Sequence, residues 1–145
     1  MREIILLLAA FLSFVSCRRS SDIPFEEVRN YFFRNDAEIP ENPVIDIAGQ
    51  FEALFGAAAF MGKNGQVTPV DFDKEFVIAV VNPVTDCSTE LAPESLRKVD
   101  GELVFSYNET IGERQSWTIQ PILLVKVDRK YRTDSVRLDR RLQVL

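Results

Sequence analysis

Phe76-Val77-Ile78-Ala79-Val80-Val81 is apolar at every position and rich in β-branched residues. A strand with one wet face alternates polar and apolar side chains, so an unbroken apolar run marks a strand covered on both faces. Asn82-Pro83 ends it, since proline brings no amide hydrogen to a ladder. Ile122-Leu123-Leu124-Val125 reads as a second strand of the same buried type. Between the two, Asp100-Gly101 separates Leu96–Val99 from Glu102–Asn108, the pattern of a tight hairpin. Leu103, Phe105 and Tyr107 fall on one face of that hairpin. Trp117, Ile119 and Pro121 alternate with Ser116, Thr118 and Gln120, which assigns Trp117 to the core. Residues 108–115, with Gly112, read as the connection, and Ser135–Leu138 as a last strand.

Toward the N-terminus the signals are weaker. Gly49–Ala59 carries Phe51, Leu54, Phe55 and Ala58 at helical spacing and predicts the principal helix. Asp22, Pro24, Glu26 and Glu27 suit a helix or turn over 23–29, with a strand over 29–35 through Tyr31-Phe32-Phe33. Residues 36–43 are a loop broken by Pro40 and Pro43, and Val44–Ile47 is a short strand or the approach to the helix. The expected fold class is α+β: a mainly antiparallel β-sheet or open barrel of five to six strands, with one principal helix packed on it.

The chain has 145 residues, enough for one domain with a useful core, and a formal net charge of -5. It has no histidine. That excludes a Ser-His-Asp triad, a Cys-His nucleophile pair and any His-containing zinc site. The acidic balance argues against a nucleic-acid binder. Charge is uneven: Lys126–Arg141 holds seven basic and three acidic residues, whereas Asp22–Val125 holds seven basic and eighteen acidic. Such a basic edge is either a solvated strand border or an attraction for an anionic surface or partner.

Ile4 to Val15 is a twelve-residue run without charge, preceded by Arg2. It is too short to span a bilayer, which takes roughly 20 apolar residues, and fits the apolar part of a secretory leader. Val15-Ser16-Cys17 resembles the lipobox of bacterial lipoproteins, with Phe14 standing where Leu is usual. The resemblance implies a leader over 1–16, acylation at Cys17, a short polar tether over 17–23 and one domain over 24–145. Two or three acyl chains, at roughly 0.8 kcal/mol per buried CH₂, hold such a domain durably at a membrane. The implied location is the cell envelope, on the outer membrane facing the periplasm. Cys87 is left without an intrachain partner and, next to Asp86, reads as a buried or half-buried spectator.

No catalytic constellation emerges. Asp71, Asp73 and Glu75 begin like a calcium loop, but Phe76 stands where the sixth-position glycine belongs and Asn82 where the twelfth-position glutamate belongs. They read instead as charges guarding the start of a hydrophobic strand. Nothing selects a carboxylate pair for glycoside hydrolysis, and no phosphate-binding glycine loop is present. No metal and no cofactor are expected. Asn108-Glu109-Thr110 is a formal N-glycosylation sequon, and Asp134-Ser135-Val136 resembles the O-glycosylation tripeptide of Bacteroidetes, with Ser135 as acceptor.

From about Ile45 to Leu138 the order of features resembles the C-terminal domain of PrcB-type lipoproteins, accessory proteins that stabilise a secreted protease complex. The shared parts are Phe51-Glu52-Ala53-Leu54-Phe55, then Val70-Asp71-Phe72-Asp73-Lys74 leading into Phe76–Val81, then a hairpin and the strand from Trp117 to Val127. Asn82-Pro83-Val84-Thr85-Asp86-Cys87 stands where that family carries a glycine-rich segment. The chain is also similar to the small lipoproteins of the Bacteroides type. The resemblance implies a non-catalytic, membrane-anchored protein that binds or stabilises a protein partner, a secreted protease among the candidates. A peptidase inhibitor and a carbohydrate or lipid carrier are the competing readings. The oligomeric state is left open. Residues 62–69 and 82–90 read as paired loops that would meet the partner, through Lys63, Asn64, Gln66, Thr85, Asp86 and Thr89.

Overall fold

The structure is a computed structural model describing residues 20–145. The expected leader, Cys17 and Arg18-Arg19 lie outside the described residues. Among the described residues the elements are β1 (Ser20–Asp22), β2 (Glu26–Val28), β3 (Tyr31–Phe33), β4 (Val44–Ile45), α1 (Ala48–Leu54), β5 (Phe55–Ala57), β6 (Glu75–Val81), β7 (Thr85–Val99), β8 (Glu102–Ile119), β9 (Ile122–Asp128), a 3-10 turn (Arg129–Tyr131) and β10 (Val136–Val144).

Two four-stranded sheets form, in the orders β1-β7-β8-β10 and β2-β9-β6-β4, and β3 pairs with β5 alone. All pairings are antiparallel except β8 with β10. The unbroken apolar run is the reason for the layering. Phe76, Ile78 and Val80 of β6, with Leu123, Val125 and Val127 of β9, face Leu96, Leu103, Phe105 and Tyr107 of the first sheet. The other face, through Val77, Ala79 and Leu124, packs on Phe33, Phe51 and Phe55 from β3, α1 and β5. The second sheet is thus the middle of three layers, and its central strands have no wet face.

The β7–β8 hairpin is longer than the sequence announces. Asp100 (φ 51°) and Gly101 (φ 84°) both occupy the left-handed region, as a type I′ turn demands. From there the ladder continues far past the part that covers the second sheet. β1 joins its other side with Ser20 opposite Val99, so the chain enters the domain beside the hairpin turn.

Several expectations need correction. There are ten strands among the described residues, not five or six, divided between two packed sheets and a small ribbon. The helix ends at Leu54 rather than Ala59. Phe55-Gly56-Ala57 leaves it to pair with β3, where a Cβ on Gly56 would collide with the Phe32 ring. No helix forms over 23–29; the Ile23 amide donates to the Leu96 carbonyl and Glu26–Val28 pair with β9. Ser20–Asp22, expected in the tether, belong to the first sheet. Residues 108–115 are not a connection but the middle of β8, and the expected loop 82–90 is strand from Thr85 onward.

Phe105 is fully buried where both sheets meet, with Phe25 edge-on at 5.9 Å and Tyr107 stacked at 6.0 Å. Phe105→Ala is expected to lower unfolding free energy by about 3–5 kcal/mol in urea titration, the usual cost of emptying an aromatic core site.

Candidate functional site

The first expected contact segment is held rigidly. Asn30, itself left-handed at φ 66°, donates through Nδ2 to the carbonyls of Asn64 (2.8 Å) and Gln66 (2.6 Å). Thr68 pairs with Arg29 through both its hydroxyl and its amide. Lys63, Asn64 and Gln66 are exposed, with Asn64 and Gln66 attached by backbone rather than side chain.

In the second segment the side chains do different work. The Thr85 hydroxyl accepts from the Cys87 amide at 3.1 Å, and the Thr89 hydroxyl donates to the Cys87 carbonyl at 3.1 Å. Both threonines thus shape the strand. Asp86 pairs with Arg114 across the ribbon at 2.6 Å. Cys87 is half-buried, its Sγ 3.8 Å from Asp86 Oδ1. Val81 opposite Ile122 and Val28 opposite Leu124 put Asn82 and Asn30 at the same end of the second sheet, with β9 between them. The two segments therefore share an end of the domain, though no hydrogen bond or ion pair joins them among the described residues.

That end holds a feature the sequence hid. Thr85 faces Ile119 and Cys87 faces Arg114. One residue of β7, Asp86, thus stands against four of β8, Gln115 to Thr118. The surplus forms a bulge, and bulges re-aim side chains. Trp117 rides on it and is 59% exposed, with Val84 exposed on the adjoining corner. The expectation of a core Trp117 is corrected: alternation cannot be carried across a bulge.

Beside the bulge, the two chain crossings at this end of the sheets are tied together. The Asn82 amide donates to the Pro121 carbonyl at 2.9 Å, and the Asn82 carbonyl accepts from Gln120 Nε2 at 3.1 Å. Its side-chain amide donates to Glu109 Oε1 at 2.6 Å, and Arg140 Nη1 reaches Glu109 Oε2 at 3.1 Å. Glu109 is 4% exposed. A buried carboxylate is tolerated when each oxygen has a donor. Glu109 continues the inward series Leu103, Phe105, Tyr107, and that position was the available signal for it; the sequon reading passed over it.

Elsewhere, Tyr31, Phe51, Phe55 and Phe72 line a concavity of about 310 Å³, with Arg34 and Glu52 at its rim. It lies on the outer face of the second sheet, not inside the barrel-like interior a carrier would use. Asp71, Asp73 and Glu75 close a turn: Asp71 accepts from the Asp73 amide and donates its own amide to Glu75. Among the described residues no group of three or more Cys, Asp or Glu is placed to hold a metal. The basic C-terminal stretch is largely spent within the molecule. Lys126 sits 3.5 Å from both Glu26 and Glu75, and Arg129 donates to the carbonyls of Asp46 and Phe72. Arg132 pairs with Asp46, Arg137 with Glu102 and Arg141 with Glu94. Ser135 is exposed ahead of β10, its carbonyl bonded to the Leu103 amide.

Comparison of the chain with protein-family models, with curated proteins and with solved structures finds no match.

Burial pushes the Tyr107 phenol above its ordinary value; the Glu109 carboxylate adds to the shift and Arg140 opposes it. The folded state therefore holds this proton more tightly than the unfolded chain does. Its contribution is complete below pH ~10 and is lost as pH rises through the raised value. Tyr107→Phe is expected to flatten the alkaline limb of a melting-temperature profile while leaving its shape below pH ~9 unchanged.

Proposed function

We propose that this chain is a non-catalytic, membrane-anchored lipoprotein of the cell envelope that docks a protein partner on the bulged end of its β7–β8 ribbon. One observation carries the reading: the chain's single tryptophan is displayed to solvent on a four-residue bulge. Tryptophan is the residue type most enriched among interface hot spots, and a backbone irregularity that turns one outward is costly unless it is used. Val84 and the Asp86–Arg114 pair flank it, giving an apolar centre with a polar border.

The position of the domain's first strand agrees with an anchored binder. Ser20, three residues after Cys17, lies beside the hairpin turn. Trp117 lies near the other end of the ribbon, fourteen steps along the strand from Val99 to Thr85, a contour length of about 45 Å. The membrane attachment and the docking end are therefore separate. The similarity to PrcB-type lipoproteins makes a secreted protease complex the first partner to look for. The inhibitor reading asked for an inserting loop over 82–90, but only residues 82–84 are loop and the segment is paired strand from Thr85 onward, which favours a partner that is held rather than plugged.

The test has two arms. Intact-mass analysis of the envelope-extracted chain should show acylation at Cys17; an unmodified mature polypeptide in the medium removes the anchor. Mild crosslinking and pull-down from envelope fractions should recover a specific protein with the wild type. Trp117→Ala should lose it at least tenfold while its melting temperature moves by no more than a few degrees. Equal recovery by both proteins removes the bulge as the docking site.

A further inference from the structure

β10 is an edge strand of nine residues. β8 pairs with one side of it, and among the described residues no strand covers the other. Its direction of hydrogen bonding can be read at both ends. The Ser135 carbonyl accepts from the Leu103 amide, and the Leu145 amide donates to the Ile111 carbonyl. Amide and carbonyl of one strand residue point the same way, so the odd-numbered residues bond inward to β8. The even-numbered ones, Val136, Leu138, Arg140, Leu142 and Val144, offer theirs to the open edge.

The side chains carry a second pattern. Val136, Leu138, Leu142 and Val144 share the face that continues the inter-sheet core, yet the last three are 36%, 50% and 68% exposed. The sequence of the strand, Val-Arg-Leu-Asp-Arg-Arg-Leu-Gln-Val, is symmetric about Arg140 in its apolar positions and complementary in its charges. Laid antiparallel against itself with Arg140 opposite Arg140, it sets Val136 against Val144, Leu138 against Leu142, Asp139 against Arg141 and Arg137 against Gln143. In this register the pairs that exchange backbone bonds are the even-numbered residues, the very groups left open. The two central arginines do not meet as free charges, because each is drawn back to its own buried Glu109. Sliding the strands by two residues sets Asp139 against Asp139 and Arg137 against Arg141, or else Arg141 against Arg141. Like charges directly opposed are destabilising, so one register is selected.

We propose that β10 is a homodimer interface: a second copy of this chain adds antiparallel to the open edge, centred on Arg140, and joins the two four-stranded sheets into one of eight. The occupant is a second copy because the strand is complementary to itself. An unprotected, partly apolar edge of this length is otherwise a liability that folded proteins blunt.

Two measurements decide it. The first is sedimentation velocity of the full-length chain in mild detergent at micromolar concentration. It should show a dimer, and Leu138→Lys with Leu142→Lys should weaken dimerisation at least tenfold with an unchanged circular dichroism spectrum. The second is oxidation of single-cysteine chains carrying Cys17→Ser and Cys87→Ser. Residues directly opposed in a bonded antiparallel pair have Cα atoms about 5.5 Å apart, within disulfide range. Arg140→Cys should therefore link two chains. Arg137→Cys, about 20 Å from its own counterpart in this register, should not. A monomer throughout the range, a dimer indifferent to the two lysines, or linkage of Arg137→Cys as readily as Arg140→Cys each overturns the proposal. Neither measurement depends on the Trp117 partner being found.

Discussion

Asn82 is the point on which the two sheets depend. The chain passes between them twice at one end, through residues 82–84 and through Gln120-Pro121, and Asn82 ties those passages with its amide, its carbonyl and its side chain. A proline follows at each corner, at Pro83 and Pro121, where no ladder donor is wanted. The side chain of Asn82 also satisfies one oxygen of a carboxylate that burial would otherwise make expensive, while Arg140 satisfies the other. Removing Asn82 would leave one oxygen of Glu109 short of a donor in a nearly dry site, and loss of one partner of a buried charge costs more than the pair contributes. The corner therefore works as a unit, and it links the two regions with functional proposals: the Trp117 bulge on one side and β10, through Arg140, on the other.

Much of the interior was legible. The run Phe76–Val81 announced a strand with both faces covered, and Val77 and Ala79 pack on one layer while Phe76, Ile78 and Val80 pack on the other. Asp100-Gly101 announced its hairpin. What escaped were elements that lack a period to detect. Ser20–Asp22, Glu26–Val28 and Phe55–Ala57 are three residues each, too short to show alternation; the first two are strands because a longer neighbour offers an edge, and the third because it meets the equally short Tyr31–Phe33. Gly49–Ala59 did show helical spacing, but tertiary pairing with β3 overrode it after Leu54.

The bulged end of the ribbon was legible only in outline. Residues 82–90 read as loop, whereas they are strand from Thr85 onward, because Thr85-Asp86-Cys87-Ser88-Thr89-Glu90 is almost wholly polar and carries no alternation of apolar residues. Trp117 was misassigned for a sharper reason. Its neighbours do alternate, but the bulge from Gln115 to Thr118 resets which face each residue meets. Glu109 could have been found: it stands two residues past Tyr107 on a face already marked as buried, and a carboxylate there requires a partner. The basic C-terminal stretch looked like free charge and is mostly consumed by acidic neighbours distant in sequence.

The solvent-facing indole has a practical consequence for anyone handling this protein. Its emission already reports a watery environment in the native state, so the usual red shift on denaturation will be small and intrinsic fluorescence will be a poor gauge of unfolding. The same optical property makes it a direct, label-free sensor of anything that covers the tip of the ribbon.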